Sequence, residues 1–228
     1  DIRPFVALAK ALVRAGHEPI MGAPDDFQDF ITRNGIEHFK LGGDIHALIS
    51  QANFDTAMQD HSMGALLSAA RDGLRLHYEA AQKFESLAKG ADAFIYHMNT
   101  TFAVDVAYSQ KIPAIMAVFQ PLLPTRHMPY CAGVGPRLPA GLARLSYLTL
   151  SAQQAYYDFP RYRLRPTLGL RRHFPGGFAK GLDGKPVATL HAYSDVVVPK
   201  PSDWPDNAVL TGTWTLDELP PWTPDERL

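Results

Sequence analysis

A chain of 228 residues, 46% of them hydrophobic, is long enough to bury a sizeable core as one large or two small domains. Its formal net charge of −1 gives no electrostatic argument for nucleic acid or an anionic membrane. Its one cysteine, Cys131, excludes an internal disulfide and any CxxC metal site, which suits a reducing, cytoplasmic compartment; no apolar run approaches the ~20 residues needed to span a bilayer.

The chain opens on Asp1-Ile2-Arg3-Pro4-Phe5 with no initiator methionine and no signal-peptide pattern, so its true start is expected upstream. Phe5, Leu8, Ala9, Leu12 and Val13 recur at helical spacing, Pro4 suits the first turn, and Gly16 is a stop. Glu18 to Ala23 reads as a strand. A helix feeding a strand is half of an α/β unit, so a first strand is expected ahead of Asp1, placing that acid at the carboxyl end of a parallel sheet. Asp25 or Asp26 caps a short helix through Asn34, Gly35 ends it, and Ile36 to Leu41 is a short strand. An irregular stretch follows, with a helix at Ile45 to Gln51.

Helical spacing then runs from Gly64 to Lys89 as one long helix stopped by Gly90. Asp92 to Tyr96 reads as a buried strand, Asn99-Thr100-Thr101 as the cap of a helix from Phe102 to Gln110, and Ile112 to Phe119 as an all-apolar strand of the kind covered on both faces of a parallel sheet. Gln120 to Pro139 is rich in Pro and Gly, a length of loop that tends to carry function. A helical region from Ala140 to Phe159, a second segment near Leu164 to Leu170, and short strands at Val187 to His191 and Asp195 to Val198 complete the domain, assigned to residues 1–198. Six prolines in the last thirty residues make 199–228 an interdomain linker, interrupted at Val209 to Thr211.

The common signatures are absent: no GxxxxGK[ST] loop, no HExxH, no GxSxG, and Gly133-Val134-Gly135 lacks the third glycine of a dinucleotide fingerprint. Three groups remain. Asp1 reads equally as a general base or as an N-cap carboxylate. His97 and Asn99 follow a strand at the edge expected for Asp1, where the plainer reading is solvation and capping. Phe119, Gln120, Thr125, Arg126 and Met128 mix apolar and hydrogen-bonding groups in one loop, as a ligand pocket requires, or else form a structural Ω-loop. Arg126 is read either as a contact to a polar group of a ligand or as a salt bridge pinning that loop.

These residues resemble a known family. Asp1-Ile2-Arg3-Pro4-Phe5-Val6-Ala7-Leu8-Ala9 is similar to the stretch that follows Gly-Ser-Arg-Gly-Asp-Val-Gln-Pro in bacterial and fungal glycosyltransferases with two Rossmann domains (the GT-B fold), the sterol glucosyltransferases and glycopeptide-antibiotic glycosyltransferases among them. Gly16-His17-Glu18-Pro19-Ile20, Leu41-Gly42-Gly43-Asp44, Gln120-Pro121-Leu122-Leu123-Pro124-Thr125-Arg126, Ser194 to Pro201 and Thr211-Gly212-Thr213-Trp214 resemble further family segments in the same order.

The resemblance implies an α/β, Rossmann-like parallel sheet flanked by helices, one half of a GT-B fold, with its first strand absent. It implies an inverting hexosyltransferase in which Asp1 takes a proton from an acceptor hydroxyl; topology, rather than the resemblance, places His97, Asn99, Phe119, Gln120, Thr125, Arg126 and Met128 around the substrate site. No cofactor or metal is required; a UDP- or dTDP-sugar such as UDP-glucose is co-substrate, bound mainly by a C-terminal donor domain outside this chain. The implied partners are a small lipophilic acceptor such as a sterol or polyketide, that donor domain, and a membrane reached peripherally through the acceptor; nucleic acid is not among them. The fragment alone is expected to be inactive. A non-catalytic Rossmann-type activator module for a separate transferase is the alternative, and an epimerase of the same fold a weaker one.

Overall fold

The computed structural model describes residues 2–43, 63–130, 140–172 and 179–216. Asp1, the helix expected at Ile45 to Gln51, Cys131, the Gly133-Val134-Gly135 turn and the chain after Leu216 lie outside the described residues.

Helix α1 (Arg3–Arg14) starts with Pro4 in its first turn, where a missing N–H costs nothing, and turns off through Gly16 at φ 88°. Strand β1 (Ile20–Ala23), a 3-10 turn (Asp25–Phe27), helix α2 (Gln28–Arg33) and strand β2 (Glu37–Lys40) follow. β1 and β2 pair in parallel with Ile20 beside Glu37. Val6 and Ala9 of α1 pack with Ala23, Ile31 and Ile36 into a small core over this pair.

The long helix expected over Gly64 to Lys89 is instead α3 (Met63–Ala81) and a single turn α4 (Phe84–Leu87), separated at Gln82 and Lys83. The break lets Lys83 Nζ donate to the Lys40 carbonyl at 3.3 Å and seats the buried Phe84 against Phe94 and Phe102. Strand β3 (Phe94–His97), helix α5 (Phe102–Gln110), strand β4 (Ala114–Val118), helix α6 (Tyr147–Leu164), strand β5 (Ala188–His191) and strand β6 (Ala208–Leu210) form the larger unit. Its strands lie in the order β3-β4-β5-β6, all parallel. Each link therefore needs a crossover, which α5 and α6 supply for the first two.

The chain is thus α/β, with parallel sheets and helices. Strand pairing falls in two sheets rather than one ladder, and side chains join them: Leu41 beside β2 belongs to the main core, and a Cβ at Gly22 would run into Leu87 Cδ2. Register puts Tyr96, Met116, Thr189 and Ala208 on one face, all buried, while His97, Ala117 and Leu190 share the other.

Two expectations change here. Asp195 to Val198 is a turn, not a strand, because Val196 and Val197 are 89% and 75% exposed and have no neighbouring strand to pair with. Within the stretch expected as a linker, Pro201 and Trp204 are buried and Ala208–Leu210 is a strand of the sheet.

Candidate functional site at the carboxyl edge of the sheet

In an open parallel sheet the strand ends and the loops that follow them leave the core together, so side chains from distant segments converge at the carboxyl edge. His97 ends β3, Phe119 follows β4, Trp214 follows β6, and Phe5 stands in the first turn of α1. The His97 and Phe119 rings stack at 5.8 Å and 21°. Phe5 meets Phe119 edge-on at 5.2 Å and His97 at 6.1 Å, and Trp214 closes the group at 6.1 Å from Phe119 and 6.4 Å from Phe5. All four are half-buried. Partial exposure of four packed aromatic rings leaves an apolar platform with polar tips, the composition of a small-molecule site.

His97 brings the polar tip. Its Nδ1 accepts the Asn99 backbone N–H at 3.4 Å, which leaves the proton of the neutral ring on Nε2. Burial lowers its pKa from 6.5 to about 4, so at neutral pH the ring is uncharged and donates through Nε2–H. The Thr100 hydroxyl fixes this corner by donating to the His97 carbonyl at 2.8 Å.

The predicted capping role of Asn99-Thr100-Thr101 changes form. Residues Met98–Thr100 make a 3-10 turn, and Thr101, buried, makes no cap to α5 but donates to Asp158 Oδ1 at 2.6 Å. Asn99 contributes its backbone N–H, and its side-chain amide has no hydrogen-bond partner among the described residues.

The loop after Phe119 divides. Gln120 is exposed and adjoins the aromatic group in sequence. Thr125 is fully buried and donates to Asp203 Oδ1 at 2.6 Å, the Arg126 N–H donates to Asp203 Oδ2 at 3.0 Å, and the Trp204 indole donates to the Leu123 carbonyl at 3.0 Å. Burial raises the Asp203 carboxyl, but those hydrogen bonds outweigh it and hold the group below its usual range. Thr125 therefore holds the loop down. The Arg126 side chain is exposed and forms no ion pair among the described residues, and Met128 is half-buried against the main core.

Phe5, Trp214 and His191 are the residues that sequence reasoning missed. Phe5 matches the apolar spacing of α1 and reads as core; Trp214 lies in the stretch read as linker. His191 ends β5 fully buried, stacked at 4.4 Å on Trp204 and edge-on to Tyr193 at 5.7 Å. Burial lowers its pKa to about 4, the nearby Gln120 backbone pulling weakly the other way. Beside this edge, Asp195, Pro199, Lys200, Leu210 and Gly212 line an open cleft of about 350 Å³. Among the described residues no three His, Cys, Asp or Glu side chains gather as a metal site would require.

The fold and edge thus define an α/β domain with a group of half-buried aromatic rings at the ends of its parallel strands. No protein-family model matches the chain. Its whole length aligns at 26% identity over 233 residues with sterol 3-beta-glucosyltransferase of Glomerella lagenarium, and at 26% over 237 residues with O-mycaminosyltylonolide 6-deoxyallosyltransferase of Streptomyces fradiae. The chain spans 15% of the first relative and 54% of the second. Among solved structures, the glycosyltransferase SnogD of Streptomyces nogalater superposes with a TM-score of 0.44 at 15% identity, covering 99% of this chain and 52% of that one. The chain is homologous over its full length to sterol and macrolide glycosyltransferases.

Proposed function

We propose that this chain is the acceptor-binding part of an inverting glycosyltransferase that moves a sugar from a UDP- or dTDP-sugar, UDP-glucose for one, to a hydroxyl of a lipophilic acceptor such as a sterol or polyketide. The observation that carries the reading is the full-length similarity to one transferase named for a sterol and another for a macrolide, joined to an aromatic platform at the sheet edge. The rings of Phe5, Phe119 and Trp214 take the apolar body of the acceptor, and the His97 Nε2–H donates to an oxygen on it.

In this reading Asp1 is the general base. It accepts the proton of the acceptor hydroxyl as that oxygen bonds to the anomeric carbon, and the bond from that carbon to the nucleotide diphosphate breaks with its electron pair leaving on phosphate. Attack opposite the leaving group inverts the anomeric centre. A separate C-terminal domain holds the nucleotide sugar, which accords with relatives longer than this chain.

The test is turnover of a sterol and polyketide panel with UDP- and dTDP-sugars by the full reading frame that contains these residues. Asp1→Asn is expected to lower the rate by ~10²–10⁴-fold with acceptor affinity retained. Near-normal turnover would remove Asp1 from the mechanism. Turnover by the 228-residue chain alone would overturn the division of labour, and acceptor binding by an inert full-length protein would favour the activator module.

A further inference from the structure

Helix α6 is mixed on both faces, burying Gln154, Asp158 and Arg161 beside Tyr147, Leu150 and Leu164. A helix on a protein surface turns its apolar stripe to the core and its charges to water. In α6, Leu150, Gln154, Asp158, Arg161 and Arg165, at the helix and just past it, recur at spacings of three and four and are all buried. The opposite face carries Leu148, 65% exposed, and Phe159 eleven residues on, with the small exposed side chains of Ser151 and Ala155 between them. The preceding 3-10 turn (Ala140–Ser146) continues the stripe backwards, because three residues per turn bring Leu142 and Leu145, 45% and 53% exposed, into line with Leu148.

Cations border this stripe. Arg144 is exposed within it, the Arg163 guanidinium lies 6.0 Å over the Phe159 ring, and Arg172 lies 6.0 Å over Tyr162. From Ala140 to Arg172 the exposed charges are Arg144, Arg163, Arg171 and Arg172, while the one acid, Asp158, is buried under α6 together with Arg161 and Arg165. Helix α3, packed beside α6, adds Arg71 and Arg75 against Asp72 and Glu79, with Arg75 and Glu79 paired at 2.8 Å, and so leaves the excess standing. The net charge of −1 conceals a concentrated basic region.

We infer that this face, Leu142, Leu145, Leu148 and Phe159 with Arg144 and Arg163, docks the protein on an anionic phospholipid bilayer. The apolar stripe enters the boundary between headgroups and acyl chains, and the arginines reach phosphate from its flanks, their stems remaining along the apolar surface. A second copy laid on this face would bring like charges together. Nucleic acid would satisfy the arginines but not the leucines. The inference is independent of sugar transfer.

Flotation of this chain with vesicles tests it. The chain is expected to float with phosphatidylcholine vesicles containing about a third phosphatidylserine, to stay behind with pure phosphatidylcholine, and to be released by salt. Leu145→Ser with Leu148→Ser is expected to weaken binding about tenfold or more, and Arg144→Glu with Arg163→Glu to abolish the preference for anionic lipid. Unchanged melting temperatures would show that these exposed positions leave the fold intact. Failure to float with anionic vesicles, or equal binding by the leucine variant, overturns the inference. So would a concentration-dependent dimer that the same leucine changes abolish, which would assign the face to a second copy.

Discussion

Beneath α6, Arg161 gives Asp105 two hydrogen bonds of 2.6 and 3.1 Å, and the Asp158 carboxylate lies 4.0 Å from the same guanidinium while accepting from Thr101. At the sheet edge, by contrast, Phe5, His97, Phe119 and Trp214 meet without a charge and remain half open. Both regions hold titrating groups displaced by burial, Asp158 upward in the one and His97 downward in the other. A displaced titration therefore marks burial and does not by itself mark a site. Access separates the two: the ionic cluster is closed and clamps α6 onto α5, whereas a ligand can reach the aromatic edge.

The largest effect that would test this contrast comes from the closed cluster. Arg161→Leu strands the fully buried Asp105 with only Arg165, 3.7 Å away, and is expected to cost about 3–5 kcal/mol of stability. Arg161→Leu combined with Asp105→Leu should recover much of that loss, since a packed apolar pair replaces both charges. Urea titrations of the three proteins measure it. A loss below about 1 kcal/mol in the single variant would break the comparison by showing the cluster to be solvated.

Much of the contrast is out of reach of local pattern. Local pattern gave α1 by its helical spacing, α5 by the Asn99-Thr100-Thr101 signal ahead of it, although Phe102 to Ala107 are all buried, and β4 by an unbroken apolar run. It misled at Asp195 to Val198, where apolar residues follow one another with nothing to pair against. It gave α6 its helical character but not its orientation, which Asp105 and Thr101 set by holding Asp158, Arg161 and Arg165 inward. The site was legible where a single segment supplied it, at His97 and at Phe119. Phe5 and Trp214 lie more than 200 residues apart, and only the fold brings them to 6.4 Å.

A smaller effect sharpens the comparison with two histidines that share a titration but not an environment. Burial holds His97 and His191 at about 4, below the 6.5 of an unfolded histidine. The unfolded chain then takes up protons first. Stability is full above pH ~6.5 and falls as the pH drops towards ~4, by at most roughly 3 kcal/mol for each ring. Thermal melts across that range should flatten equally for His191→Phe and His97→Phe. Only His97→Phe should also weaken acceptor binding, by removing the Nε2–H donor from the open edge, whereas His191 is fully enclosed between Trp204 and Tyr193.

The smallest effect concerns the seam between the regions. Thr125 sits in the loop that leaves the aromatic edge, yet its hydroxyl faces inward to Asp203, and the His127 N–H donates back to it at 3.1 Å. Thr125→Val keeps the shape and removes both bonds. Valine leaves Asp203 with the Arg126 N–H, so the carboxylate keeps a partner and partial access to water, and the expected cost is about 1–1.5 kcal/mol rather than the larger penalty of a stranded charge. Because the loop is tied at Leu123 by Trp204 as well, it should loosen without detaching. Faster proteolysis between Leu123 and Met128, with acceptor affinity changed less than threefold, would place Thr125 with the scaffold. A loss of affinity as large as that of His97→Phe would instead extend the binding surface along this loop and merge the two regions.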